Sequence, residues 1–237
     1  MKMEERRIQG RRCFIYDCGS ADTLLIQPIG EHNLETMDYE VDLIRQLSKG
    51  RPFTMAMFLV DWNKDLPPWK AEPIRGEEPF GCGAPETLTF IEEDLIPEVI
   101  DAKAPEIYLG GYSLAGLFSL WAAYQTDQFA GVAAASPSVW YPDFPAFAKE
   151  HDIKAPRVYL SLGTKEEKTR HPVMKTVGEN IRGLYALLDK SPWESILEIN
   201  PGNHFKEPDL RMAKAFAWLI EKTKQDFHNS AEDAYIG

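Results

Sequence analysis

Apolar positions along the chain alternate between two kinds of run. Short, nearly continuous apolar stretches occur at 13–16, 23–28, 53–60, 107–109, Gly131–Ala135, Arg157–Gly163 and 196–199. Such runs suit strands buried on both faces of a parallel sheet. Between them the spacing lengthens to that of helices. Met37, Val41, Ile44 and Leu47 fall on one helical face that closes near Gly50. Leu88, Ile91 and Leu95 mark a second helix reaching about Ile100, with Pro97 bending its end. Leu114, Leu117, Trp121 and Tyr124 share a face of a third, and Val177, Ile181, Leu184 and Leu188 of a fourth. A last helix covers 207–224, with Leu210, Ala213, Ala217 and Ile220 inward, before a polar tail from Asp226. The first two apolar runs, separated by the turn-rich Asp17, Gly19, Ser20 and Asp22, are expected to open the fold as a pair of strands. Strands alternating with helices predict an α/β fold, a mostly parallel sheet with helices on both faces. At 237 residues this is expected to be a single domain over 1–237, with no large separate lid domain.

One stretch does not fit either period. Residues 62–84 are irregular and dense in Pro, Gly and Trp, and a loop of that length inside a compact domain is expected to be ordered and functional. Together with the aromatic segment 136–147, it is expected to wall a binding pocket.

Composition narrows the picture. A hydrophobic fraction of 44% is ample for a large core, and a net charge of −11 disfavours nucleic acid and anionic membranes as partners. No long apolar run suits a membrane span, and the start MKMEERRIQGRR does not resemble a secretory signal. Cys13, Cys18 and Cys82 are odd in number and lack metal-ligand spacing, so free thiols, no metal and a cytoplasmic location are expected.

The candidate chemistry centres on 106–124, EIYLGGYSLAGLFSLWAAY, where a buried strand passes through a glycine-flanked serine into an apolar helix. Strand, tight turn and helix give the context that makes a G-x-S-x-G-like match meaningful. Here Ala115 replaces the final glycine, a small residue that still permits close helix approach. Reactive residues of such sheets lie beyond the carboxyl ends of strands. Ser113, then an acid in TKEEKT after RVYLSLG, then His204 after ILEIN follow the order nucleophile, acid, histidine. A serine hydroxyl needs an adjacent base, and a carboxylate fixes the tautomer of that base. Glu166 is the favoured acid, with Glu167, Asp143 or no acid at all as alternatives. The oxyanion donors are expected to be the amides of Leu114 and Gly30. Trp140 and Tyr141 are expected at the pocket; His32 either lines it or is a solvated helix-start histidine, and Asp61 either binds substrate or caps a turn.

The residues also resemble a known family. GGYSLAGLFSLWAAYQTDQFAGVAAASPSVWYP, RVYLSLGTKEEKTRHPVM and NPGNHFKEPDLRMAKAFAWL look like the elbow, acid and histidine segments of the putative esterase family of α/β-hydrolases, related to esterase D, S-formylglutathione hydrolase and the enterobactin esterases. The likeness spans about 24–219. It implies the α/β-hydrolase fold and cleavage of a small-molecule carboxylic ester or thioester through an acyl-serine on Ser113, His204 and Glu166, without a cofactor. The substrate itself does not transfer with the family. Acyl transfer to an alcohol or thiol, or a noncatalytic binding protein with a misaligned triad, are the competing expectations.

Overall fold

The computed structural model describes residues 2–20, 22–74, 78–100 and 105–221. The chain opens with a hairpin, β1 (Lys2–Ile8) and β2 (Arg11–Asp17), turned at Gln9 and Gly10, both with positive φ. A two-residue turn with positive φ at both positions matches the right-handed twist of the strands it joins. Hydrophobic patterning does not reveal β1, because KMEERRI is apolar only at Met3 and Ile8. That polarity suits a sheet edge, where exposed charge discourages pairing with other chains.

β3 (Thr23–Ile29) runs through a 3-10 turn at Glu31–Asn33 into α1 (Met37–Leu47), and β4 (Thr54–Leu59) follows. Then come α2 (Trp62–Asp65), α3 (Ala84–Thr89), a π-helical stretch Phe90–Leu95, α4 (Ile96–Val99) and β5 (Glu106–Tyr112). The π-helical stretch lies where one regular helix was expected. Pro97 lacks an amide hydrogen and its ring clashes with the carbonyl four residues back, so the preceding turn widens. The rest is α5 (Leu114–Gln125), β6 (Gly131–Ala135), α6 (Phe144–Glu150), β7 (Arg157–Gly163), α7 (Val177–Leu188), β8 (Glu194–Asn200) and α8 (Pro208–Leu219), with 3-10 turns at Glu166–Lys168 and Met174–Thr176. Residues 222–224 of the expected last helix, and the tail from Asp226, lie outside the described residues.

All eight strands form one sheet in the order β1-β2-β4-β3-β5-β6-β7-β8, antiparallel in its first two pairings and parallel thereafter. β2 and β3 are therefore not neighbours, since β4 inserts between them. The Cys18 amide donates to the Phe53 carbonyl at 3.0 Å, which extends β2 along β4 instead of returning it onto β3.

Side chains alternate between two cores. Leu24, Ile26, Ala56, Phe58, Ile107 and Leu109 face one core with α3, α5, α6 and α7, whereas Leu25, Met55, Met57 and Tyr108 face the other with α1 and α8. Period-2 alternation with both faces covered is why these strands read as unbroken apolar runs. α5 is buried from Leu114 to Tyr124, all round and not on one face. α1 is rotated from the expected face, burying Glu40, Val41 and Ile44 while Leu47 is 41% exposed. Among the described residues no helical domain is inserted over the carboxyl ends of the strands.

Candidate active site

Ser113 sits between β5 and α5 with φ 59° and ψ −117°, a conformation that costs on the order of 1–3 kcal/mol for a side-chain-bearing residue. Backbone hydrogen bonds to the β6 end and the turn after it hold it there, besides the first bond of α5 from the Leu117 amide to the Ser113 carbonyl at 3.1 Å. Its amide donates to the Ala135 carbonyl at 3.1 Å, and its carbonyl accepts from the Ser138 amide at 2.9 Å. Gly111 permits the turn, because a Cβ there would run into the backbone of Ala115. Ala115 itself is fully buried against that glycine, so the departure from the G-x-S-x-G pattern is accommodated. Leu114 is the first residue of α5, and its amide belongs to the helix turn that has no internal acceptor.

The other two residues arrive on loops after β7 and β8. His204 Nε2 lies 3.0 Å from Ser113 Oγ, and His204 Nδ1 lies 2.7 Å from Glu166 Oε2. Ser138 Oγ is a further neighbour of Ser113 Oγ at 3.3 Å. Glu166, 8% exposed, receives at its second oxygen the Gly163 amide at 2.6 Å, Ser136 Oγ at 2.8 Å and Arg211 Nη1 at 2.8 Å. Burial alone would raise its pKa, but the hydrogen bond and charge of His204 and the bonds from Ser136 and Gly163 outweigh burial and hold it below the ordinary carboxylate value. Glu167 points elsewhere and pairs with Arg182 at 2.8 Å on the surface. Asp143 caps α6 in the left-handed region.

Arg211 was not legible as part of this site. Its guanidinium, 2% exposed, also donates to Tyr112 Oη at 3.1 Å and Ser136 Oγ at 2.9 Å, and to the carbonyls of Asn203 at 2.9 Å and Pro201 at 3.4 Å. Tyr112 Oη in turn donates to the His204 carbonyl at 2.6 Å. One buried cation thus ties the acid to the histidine loop. The sequence carries one signal for it: Arg211 is flanked by the apolar Leu210, Met212 and Ala213 in the last helix.

The remaining candidates separate. His32 packs edge-on against Trp62, ring centroids 5.3 Å apart, and both line a cavity that reaches Ser113. Trp140 lines a larger cavity at the same serine. Tyr141 does not, since it is fully buried and its hydroxyl donates to the Trp69 carbonyl at 2.6 Å; an aromatic run packs inward as readily as toward a pocket. Asp61 is exposed and its carbonyl accepts the amides of Lys64 and Asp65, so its backbone starts α2. The Gly30 amide is given to Asn33 Oδ1 at 3.0 Å, which leaves that amide occupied.

The large cavity, of about 610 Å³, is walled by Trp140, Met174, Val177 and Phe205, with Lys165 and Lys168 also lining it. Among the described residues its walls come mainly from the segment after β7, whereas Trp62 of the 62–84 stretch lines the smaller cavity. That long loop is pinned to the 140–147 segment instead, with Trp69 Nε1 donating to the Pro142 carbonyl at 2.9 Å and Phe80 packed 5.2 Å from the Tyr141 ring. Among the described residues no group of His, Cys, Asp and Glu could hold a metal ion. Nor is any described helix long and apolar enough to cross a membrane.

Comparisons with known proteins bear on this geometry. Residues 61–182, just over half of the chain, match the model of the family described as Putative esterase. Among solved structures, the chain is similar to an IroE-like serine hydrolase from Shewanella oneidensis, with a TM-score of 0.75, 16% identity, and 96% of this chain and 85% of that one covered. It is also similar to the siderophore hydrolase EstA from Aspergillus nidulans, with a TM-score of 0.67, 20% identity and coverage of 92% and 93%. The enterobactin esterase FES from Shigella flexneri aligns with a TM-score of 0.65 and 17% identity, over 92% of this chain and 58% of that one. These likenesses show the α/β-hydrolase fold. No curated protein sequence matches.

Proposed function

We propose that this chain, which belongs to the Putative esterase family and is a carboxylic ester hydrolase, cleaves a small ester or thioester through an acyl-serine formed on Ser113. The observation that carries the reading is the relay of contacts from Ser113 Oγ to His204 Nε2 at 3.0 Å and from His204 Nδ1 to Glu166 Oε2 at 2.7 Å. His204 takes the hydroxyl proton as Ser113 attacks the carbonyl carbon, and Glu166 stabilises the imidazolium that forms. The Leu114 amide, at the positive end of α5, takes one lone pair of the oxyanion. A second donor comes from the turn after β3. The Gly30 amide in that turn is engaged by Asn33 Oδ1, so Gly30 serves as the donor only if that bond is exchanged for one to the oxyanion. His204 then gives its proton to the leaving oxygen or sulfur, and water repeats the sequence to release the acid.

The cavity beside Trp140, Met174 and Phe205 receives the apolar part of the substrate. The similar solved structures are a serine hydrolase, a siderophore hydrolase and an enterobactin esterase, which supports ester chemistry on small molecules. Free Cys13, Cys18 and Cys82 support a reducing, cytoplasmic location.

The test is covalent labelling with a fluorophosphonate together with hydrolysis of p-nitrophenyl acetate. Labelling and turnover are both expected in the native protein and absent from Ser113→Ala. Full turnover by folded Ser113→Ala would refute the mechanism.

A further inference from the structure

A second cavity, of about 300 Å³, also reaches Ser113 and His204 and is lined by Gln27, Glu40 and Asp209. Gln27 and Glu40 are each 3% exposed, and the Oε1 atom of each is buried without a hydrogen-bond partner. A buried acceptor left unsatisfied ordinarily costs on the order of 1–3 kcal/mol, so with Glu40 ionised the two at one cavity ask for a donor from outside the chain. Asp209 adds a half-buried carboxylate, with one oxygen accepting from Thr36 Oγ1 at 2.9 Å. The other titratable groups at this cavity are His32, His204 and Tyr112, and no lysine or arginine lines it. Here α1 presents Glu40 and α8 presents Asp209 with no cation between them.

We propose that this cavity is a subsite for a primary ammonium group carried on the substrate, its N–H bonds satisfying Glu40, Gln27 and Asp209. This rests on the ester-hydrolase reading of Ser113 and adds the substrate class. The ester then has two unlike ends, an apolar group in the large cavity and an alkylammonium on the opposite flank of the scissile carbonyl. A quaternary ammonium would bring charge without donors and leave the two orphaned oxygens unmet. A neutral alkyl chain would satisfy none of the three.

Binding is measured first without turnover, by titrating the native protein at pH 9, where Glu40 is ionised and an alkylammonium keeps its charge, with hexylammonium and with 1-hexanol. Hexylammonium is expected to bind about tenfold more tightly, or better, and Glu40→Gln to remove most of that preference. Equal affinities, no detectable hexylammonium binding, or a preference that survives in both Glu40→Gln and Asp209→Asn would overturn the assignment. In turnover, kcat/KM is compared within two matched pairs, 3-aminopropyl against butyl benzoate and p-nitrophenyl 6-aminohexanoate against heptanoate. The ammonium member of one pair is expected to win by about tenfold. Parity in both pairs counts against the subsite. If the ester-hydrolase reading alone failed, p-nitrophenyl acetate would not be cleaved while the hexylammonium preference remained.

Discussion

Arg211 Nη1 lies 2.8 Å from Glu166 Oε1, and the same carboxylate holds His204 Nδ1 through its other oxygen at 2.7 Å. The guanidinium is therefore a support behind the relay and does not touch the reacting atoms. Removing one partner of a buried pair strands the other charge, and here it would also release the carbonyls of Pro201 and Asn203 that shape the histidine loop. Arg211→Met is expected to cost about 3–5 kcal/mol in denaturant unfolding and to lower kcat more than it raises KM. Arg211→Lys, which keeps the charge but not the fork, should recover part of the stability and less of the rate. An unchanged kcat in folded Arg211→Met would remove its positioning role.

Glu166 and Glu167 are adjacent, yet opposite consequences are expected of them. Glu166→Gln leaves a neutral group against His204 Nδ1 and favours the wrong tautomer, so kcat should fall by about three to four orders of magnitude. Glu167→Gln breaks only an exposed pair with Arg182, where about 0–1 kcal/mol and no change in rate are expected. Steady-state kinetics on both variants decides between them.

Glu40 predicts a pH dependence of stability. Burial, then the neighbouring charge of Asp209, raises its pKa to about 8 against a partly offsetting bond from Gln27. Folded protein keeps this proton while the unfolded chain loses it near the ordinary carboxylate value. The stabilising contribution is thus full below that value and is lost as pH rises through about 8. Between those limits the loss should amount to a few kcal/mol, at about 1.4 kcal/mol per pKa unit. Urea unfolding at a series of pH values should show Glu40→Gln with a flatter profile and its largest advantage near the alkaline end. A parallel profile for the two proteins would contradict it.

Trp69 anchors the long loop to Pro142 and packs at a tilt against Phe147, ring centroids 5.6 Å apart, without lining the cavities at Ser113. Trp69→Ala should cost about 3 kcal/mol in thermal or denaturant unfolding, in line with other large-to-small aromatic changes. At a temperature where the variant is folded, kcat/KM is expected to stay within about threefold. A large rise in KM would instead make Trp69 itself part of the pocket wall.

The sequence by itself determined the α/β order of elements and the mostly parallel sheet. It also placed Ser113 in a strand–turn–helix elbow, because burial period and small residues around a turn are properties of neighbouring positions. It likewise set His204 after the last strand and an acid after the one before it. Tertiary structure alone decided which of two adjacent glutamates faces His204, since one residue's step along a 3-10 turn sends a side chain to the core or to water. It also recruited Arg211 to an acid 45 positions away, turned Tyr141 into the core, and gathered Gln27, Glu40 and Asp209 from three elements around one cavity. The placements of Arg211, Glu40 and Asp209 depend on how α1 and α8 pack against the sheet, a long-range outcome that no local period records.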